Sequence, residues 1–368
     1  MSNTLKVCTA YMFSIVCFVL LRIASALGIF ENFTGYLGDL SITAITQLFC
    51  LFLLPLMVYK FLSSDSLSFK DIFKDFSFKK ITKNTIFICF ILGIFGYILN
   101  VCVSSLWSLF LSLLGYASRS SSIASTTTHI SFIQFLIYFL STAILPAICE
   151  EFLHRGMLLY GIKKEHNTIF SVIIVGIIFG LLHLNIYQTG YATFLGIIMG
   201  ILTIITGSIY PAIIIHFVNN GINVIFDCLY TNYYESFFKE IFSYIYQNFI
   251  SKYSILLVVI GIMLIFVIIW LFIRLSIKIM KNEKFSEDQD LSTNDIILAM
   301  IYSQNDMTIN NLSTYEKVKL ELTQLKLKSI ISPNKNLPKL EFKDYIVFIL
   351  ILFLGSLITF FTFIWGLL

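Results

Sequence analysis

Nine apolar stretches, each near the length that crosses a bilayer, leave this 368-residue chain few folds to choose from. They run over 7–27, 41–62, 86–115, 131–162, 167–186, 190–207, 209–230, 253–275 and 345–367. A hydrocarbon core about 30 Å thick takes about 20 residues of helix. Inside it only helices and closed barrels leave no backbone group unpaired, and unbroken apolar runs, rather than alternation, select the helix. The expected fold is therefore all-α, a polytopic transmembrane helical bundle of about nine spans with a small cytoplasmic segment before the last span. The stretch 190–207, short and Gly-rich, is expected as a partial or tilted helix.

Composition agrees, with 58% hydrophobic and 12% charged residues, about half the charged share of a soluble domain. The charges that exist fall between the spans and set an orientation. Lys60, Lys70, Lys74, Lys79, Lys80 and Lys83, then Lys163 and Lys164, then Arg274, Lys278, Lys281 and Lys284 all lie on one side. Loops 28–40 and 116–130 hold a single Lys or Arg, Arg119. The positive-inside rule makes the Lys-rich side cytoplasmic, with the N-terminus and 281–343 on it, and a cell membrane is the expected location. A net charge of +4 spread among membrane flanks gives no reason to expect nucleic acid as a partner. Seven cysteines, all in apolar stretches and without Cys-x-x-Cys pairing, indicate neither a disulfide framework nor a thiolate zinc site.

Five regions follow: N-terminal spans over 1–130 with a basic loop at 63–84, a central core over 131–230, a loop and span over 231–280, a soluble segment over 281–343, and a final span over 344–368. Lys6, the apolar run from Val7 and Ala24-Ser25-Ala26 resemble a secretory signal, but Arg22 interrupts the pattern before the would-be cleavage site. Within 63–84, Phe69, Phe73, Phe76 and Phe78 alternate with Lys and Asp, which suggests either a helix or hairpin on the cytoplasmic lipid surface or a basic loop that only fixes topology. In 281–343, Asn294-Asp295 and the Ser313/Glu316 box mark helix starts, and the alternation of Val318, Leu320 and Leu322 favours a strand.

The chemistry gathers in Pro146-Ala-Ile-Cys-Glu150-Glu151-Phe-Leu-His154-Arg155, inside the apolar stretch 131–162. A charge at the bilayer centre costs about 2.5–3.5 kcal/mol on insertion scales, and three are spent within six positions. On a helix Glu150 and Glu151 point about 100° apart, so they are expected to do different jobs. Glu151 and Arg155, at i and i+4, can pair and neutralise each other. Glu150 is then left for chemistry, with His154 one turn on and Pro146 kinking the helix beforehand.

His183 is the next polar intrusion, and a helical hairpin about the 163–168 turn brings it to the depth of Glu150. His216 and Asn220, again i and i+4, project from one face of a third helix. Asn219 and Asn223 are expected to tie helices together. A carboxylate, an imidazole and an imidazole–amide pair suit amide hydrolysis. Glu150 would deprotonate water, His183 would orient it, and His216 with Asn220 would stabilise the oxyanion. Alternatively Glu150, His183 and His216 could ligate Zn²⁺ in an open three-ligand site; the sequence does not choose between zinc and a metal-free glutamate mechanism. A non-proteolytic scaffold and an ion-coupled transporter using the same Glu and His as a proton relay are the rival classes. The transporter predicts an inverted repeat with a second charged span, and none is visible.

Glu150-Glu151-x-x-x-Arg155, Phe179-x-x-x-His183 and His216-x-x-x-Asn220 resemble the three signature motifs of the CPBP intramembrane proteases, which include CAAX-prenyl endopeptidases and bacteriocin-processing or self-immunity proteins. The resemblance covers roughly 131–230. It implies an intramembrane endopeptidase, described as a metalloprotease, with Glu150 and His183 activating water, His216 and Asn220 as oxyanion partners, and Glu151 with Arg155 in support. It also implies a peptide or a lipidated, membrane-embedded protein as substrate and the lipid bilayer as surroundings. Cleavage is expected at or near the cytoplasmic side. The 281–343 segment and the last span lie outside the resemblance.

Overall fold

A computed structural model describes residues 1–30, 35–63, 68–116, 129–233, 238–245, 247–248, 251–284, 320, 323–324 and 342–367. Among them every regular element is helical. Helix α1 (Asn3–Ala26) is followed by α2 (Gly35–Ala44), which runs through a π-helical stretch, Ile45–Leu53, into α3 (Leu54–Leu62). The short α4 (Phe69–Asp75) precedes the long α5 (Lys83–Leu113). The charged span is a composite of α6 (Phe132–Phe139), a π stretch at Leu140–Ile144, α7 (Leu145–Glu151), a second π stretch at Phe152–Leu158, and α8 (Leu159–Lys163). Then come α9 (Thr168–Leu182), α10 (Ile186–Thr206), α11 (Tyr210–Tyr233), α12 (Lys239–Ile245), α13 (Ser251–Lys284) and α14 (Phe342–Leu367).

Seven of these helices are long and apolar enough to cross a membrane, and Thr168–Leu182 and Tyr345–Phe361 are shorter apolar helices among the described residues. The chain is a multi-pass membrane protein. The short element differs from the one expected. Helix α10 is full length, whereas the 167–186 stretch stops at Leu182. There Leu184 takes a left-handed φ of 51°, and Asn185 caps α10 by accepting from the Tyr187 amide at 2.9 Å. A leucine in that region costs on the order of 1–2 kcal/mol. Fifteen helical residues rise only about 22 Å, so the chain breaks before the far side of a 30 Å core. Broken backbone at that depth is tolerated where it lines a cavity.

Two GxxxG pairs explain how α9 and α10 pack. Gly196 packs directly on Gly176, Gly180 lies against Thr189 and Thr193, and Gly200 against Val172; a Cβ on Gly196 would sit 3.1 Å from both the Cα and the carbonyl oxygen of Gly176. Small residues let backbones approach where lipid supplies no hydrophobic drive between helices.

One face of the bundle is knitted by polar contacts. The Asn3 and Thr4 amides donate to the Glu165 carboxylate at 2.6 and 2.9 Å. Glu283 accepts from the Thr82 amide at 3.0 Å, and the Ser77 carbonyl accepts from the Ile209 amide at 3.0 Å. This is the Lys-rich face. Within the described part of 63–84, Ile72 and Phe76 of the α4 region are fully buried, Phe76 packs against Tyr59, Phe152 and Tyr160, and Phe69 is exposed. Phe73, Phe76 and Phe78 each meet the Phe152 ring. The expectations for 285–319 lie outside the described residues, as does the alternation around Leu322.

Candidate active site

The two adjacent carboxylates separate as helical geometry requires. Glu151 is buried and meets Arg155, whose Nη1 lies 2.8 Å from both of its oxygens. Arg155 also donates through Nη2 to the Gly196 carbonyl at 2.9 Å and stacks over the Phe179 ring at 4.3 Å. The close α9–α10 approach is what brings that carbonyl and that ring to the guanidinium. His216 then closes the group, its Nδ1 lying 2.8 Å from Glu151 Oε1. An ionised carboxylate only accepts, so Nδ1–H donates and the proton-accepting position left to a neutral His216 is Nε2.

Glu150 is half-buried and points elsewhere. With His183 it borders a cavity of about 200 Å³ whose wall also includes Arg22, Thr46, Gln47 and Gln188. Gln47 Nε2 donates to Glu150 Oε1 at 3.0 Å, which leaves Oε2 for another partner. Gln47 Oε1 is buried without a donor among the described residues. His183 Nδ1–H donates to the Phe179 carbonyl at 3.0 Å, and its Nε2 is again the free nitrogen.

His154, one turn from Glu150, does not join this cavity. Its Nδ1–H donates to the Glu150 backbone carbonyl at 2.7 Å, and its Nε2 accepts from the Tyr11 hydroxyl at 3.2 Å. Phe179 stands at the centre, with the rings of His154, His183 and His216 edge-on at 5.0, 5.2 and 5.8 Å. Asn220 has a local task in this structure. Pro146 cannot give Thr142 an i+4 amide bond, and Asn220 Nδ2 donates to that carbonyl at 3.1 Å. Asn219 links onward, donating to Asn220 at 3.1 Å and accepting from Asn100 at 3.1 Å, the helix-tying role expected of it.

The structure thus places Glu150 and His183 on one cavity and Glu151, Arg155 and His216 in a buried triad on the same stretch of bundle. It does not gather Glu150, His183 and His216 as three ligands: among the described residues, no three His, Cys, Asp or Glu side chains are grouped to hold a metal. No step is routed through a metal below.

Residues 132–222 match the family described as Rce1-like, type II CAAX prenyl endopeptidase Rce1-like. Over these residues the chain is similar to that family. The match begins ahead of Glu150 and ends just past Asn220, covering all three motifs, and it agrees with the intramembrane protease resemblance of the sequence. Comparison with curated proteins and with solved structures returned no match.

Several residues around the site lie outside the matched stretch and were missed in the sequence. Gln47 and Tyr11 sit in apolar stretches as single polar side chains, a weak but real signal in a membrane span. Arg22 was noticed only as an obstacle to signal cleavage. The contribution of Gly196 was readable in the paired GxxxG spacing.

Proposed function

We propose that the protein is an intramembrane endopeptidase that uses Glu150 to activate water against a peptide bond of a membrane-associated or peptide substrate. The observation that carries this reading is the shared Glu150–His183 cavity, with one Glu150 oxygen fixed by Gln47 and the other left for water. Glu150 Oε2 takes the proton as water attacks the carbonyl, and His183 Nε2 orients that water. The Phe179 carbonyl fixes the His183 tautomer, so the nitrogen facing the reaction is the one that accepts. His216 acts through Nε2. A proton arriving there makes an imidazolium that Glu151 holds at Nδ1, the logic by which a carboxylate supports a histidine in hydrolytic triads. That charge, together with the Asn220 amide, would stabilise the oxyanion, and the proton that Glu150 took from water then passes to the leaving amine as the C–N bond breaks, restoring the carboxylate. Asn220 must turn from Thr142 to take part. Gln47 Oε1, a buried acceptor beside Glu150, suits an N–H of the bound peptide.

The proposed setting is a cell membrane, with the N-terminus and the Lys-rich face cytoplasmic. Mass spectrometry of peptide termini in membranes from cells expressing wild type or Glu150→Gln at matched levels tests the reading. Termini present only with wild type are expected. Identical termini in both, with both proteins rescuing the same phenotype, would instead favour a non-proteolytic scaffold.

A further inference from the structure

Glu150 is held twice, by two arms that both lead outside residues 132–222. Its carboxylate accepts from Gln47, on the π-helical stretch Ile45–Leu53. Its backbone carbonyl accepts from His154, whose other nitrogen accepts from Tyr11 on α1. The two arms are themselves joined. Ser14, three residues on from Tyr11, donates through its hydroxyl to the Cys50 carbonyl at 2.5 Å, and Cys50 stands three residues on from Gln47. The contacts therefore close a circuit that leaves Glu150 by its backbone, passes through His154, Tyr11, Ser14, Cys50 and Gln47, and returns at its carboxylate. Side chains three apart share a helix face, so one buried face of α1 serves both arms. That helix is fixed in turn at its start, where the Asn3 and Thr4 amides donate to Glu165.

The backbone of Glu150 needs such a hold. Helix α7 ends at Glu151, and the π stretch begins at Phe152. Backbone bonding shifts across that junction from an i+4 to an i+5 register, so helical regularity alone does not fix it. His154 is fully buried, with the rings of Phe179 and Tyr11 edge-on at 5.0 and 5.5 Å. Its Nδ1 faces a carbonyl, which only accepts, so Nδ1 carries the proton. A second ring proton would leave the buried Tyr11 hydroxyl without an acceptor among the described residues, so the ring is neutral. A histidine that only packed would need its nitrogens satisfied and no more. Here both bonds lie on the one path between α1 and the backbone of the proposed base.

We propose that Tyr11 and His154 are positioning residues for Glu150. Tyr11 fixes the tautomer of His154, His154 holds the Glu150 backbone, and Ser14 keeps the Gln47 arm in register with it. Neither Tyr11 nor His154 touches the reacting water; they set where Glu150 Oε2 stands. Without the Tyr11 hydroxyl the ring proton is free to move to Nε2, and a bare Nδ1 would then face the Glu150 carbonyl, lone pair against lone pair. Misplacing a reacting group by about 1 Å can cost about a hundredfold in rate. This inference rests on the endopeptidase reading.

The test uses full-length protein in phosphatidylcholine nanodiscs and, as substrate, the fastest-cleaved member of a randomised fluorogenic peptide pool. Tyr11→Phe should lower kcat about tenfold or more while KM changes less than about twofold, in protein that thermal unfolding shows to be folded. His154→Asn, whose side-chain amide can donate to the Glu150 carbonyl from near the place of Nδ1, should keep more activity than His154→Leu. Adding Tyr11→Phe to His154→Asn should cost nothing further. A wild-type kcat in folded Tyr11→Phe overturns the proposal. So does a Tyr11→Phe loss that adds in full to that of His154→Asn, since Tyr11 would then act by another route. Nitrogen NMR of protein carrying isotope-labelled histidine reads the ring apart from activity. The signal missing from His154→Asn should be that of a neutral ring protonated at Nδ1, and protonation at Nε2 alone or at both nitrogens overturns the proposal. Cleavage that persists in Glu150→Gln would overturn the endopeptidase reading itself, whereas cleavage that Glu150→Gln abolishes and Tyr11→Phe leaves intact would overturn the positioning role alone.

Discussion

Arg155→Met should be among the most destabilising substitutions in the chain. The methionine fills most of the space, so the loss is electrostatic. It removes both 2.8 Å contacts to Glu151, the 2.9 Å bond to the Gly196 carbonyl and the stack on Phe179. These contributions overlap and do not add. Breaking one side of a buried pair costs about 3–5 kcal/mol, because the surviving charge is left uncompensated. Removing both charges avoids that cost, so Glu151→Leu with Arg155→Met should be less destabilising than Arg155→Met alone, by about 2 kcal/mol or more. Some loss remains, since His216 Nδ1 then has no acceptor. SDS-titrated unfolding from mixed micelles measures all three variants and wild type as a double-mutant cycle. Additive effects, or an Arg155→Met protein as stable as wild type, would refute the view that Arg155 exists to neutralise Glu151.

Gly196→Ala should lower kcat/KM by about tenfold or more through displacement of the site, because its Cβ would lie 3.1 Å from Gly176 and from the Phe179 ring; Gly261→Ala, with nothing within 4 Å, should be harmless in the same peptide assay. Peptide cleavage should survive 1,10-phenanthroline, since no three ligands are gathered among the described residues; loss of activity restored by added Zn²⁺ would show that they gather in the working state. Ser25→Cys should react with an impermeant maleimide in intact cells, while Lys70→Cys reacts only after permeabilisation; the opposite pattern would invert the assigned topology. Ser68 donates to Asp71 through its hydroxyl and its amide, and these bonds hold the Asp71 carboxyl below the usual carboxylate range. With the folded value lowered, the ionised form supports α4 at neutral pH, and that support is lost as pH falls through the lowered value. Hydrogen exchange over 69–75, corrected for its intrinsic pH dependence, should quicken there in wild type and show no such step in Ser68→Ala.

The spans and the Lys-bearing face were legible because each depends on local composition: length of apolar run, and where lysine can sit. The separation of Glu150 from Glu151 was legible for the same reason, since 100° per residue is a property of one helix. What the sequence could not supply was partnership across helices. His154 shares the face of Glu150 in sequence, yet its ring turns to Tyr11, 143 positions away. Phe76 reads as membrane-surface aromatic, and only the fold shows that Phe152 and Tyr160 surround it. The break at His183–Asn185 was missed because Leu184 gives no sign of a left-handed backbone; a glycine there would have.

That break and the adjacent carboxylates belong to one physical arrangement. A catalytic carboxylate in a membrane must be ionised, near water and near other charge, all of which the bilayer resists. Glu151 and Arg155 cancel in the core, so they add little net charge beside Glu150 while still giving His216 an anionic partner. Ending α9 at Leu182 leaves His183 on the wall of the cavity that Glu150 borders, with its Nδ1 tied to the last turn of the same helix, and in the proposed mechanism that cavity holds the water. Asn220 supports the kink that Pro146 makes four residues before Glu150. Lengthening α9 by replacing Leu184 and Asn185 with alanine should therefore stabilise the helix and close the cavity, gaining stability while losing turnover. A variant that gained both would separate the helix break from the chemistry.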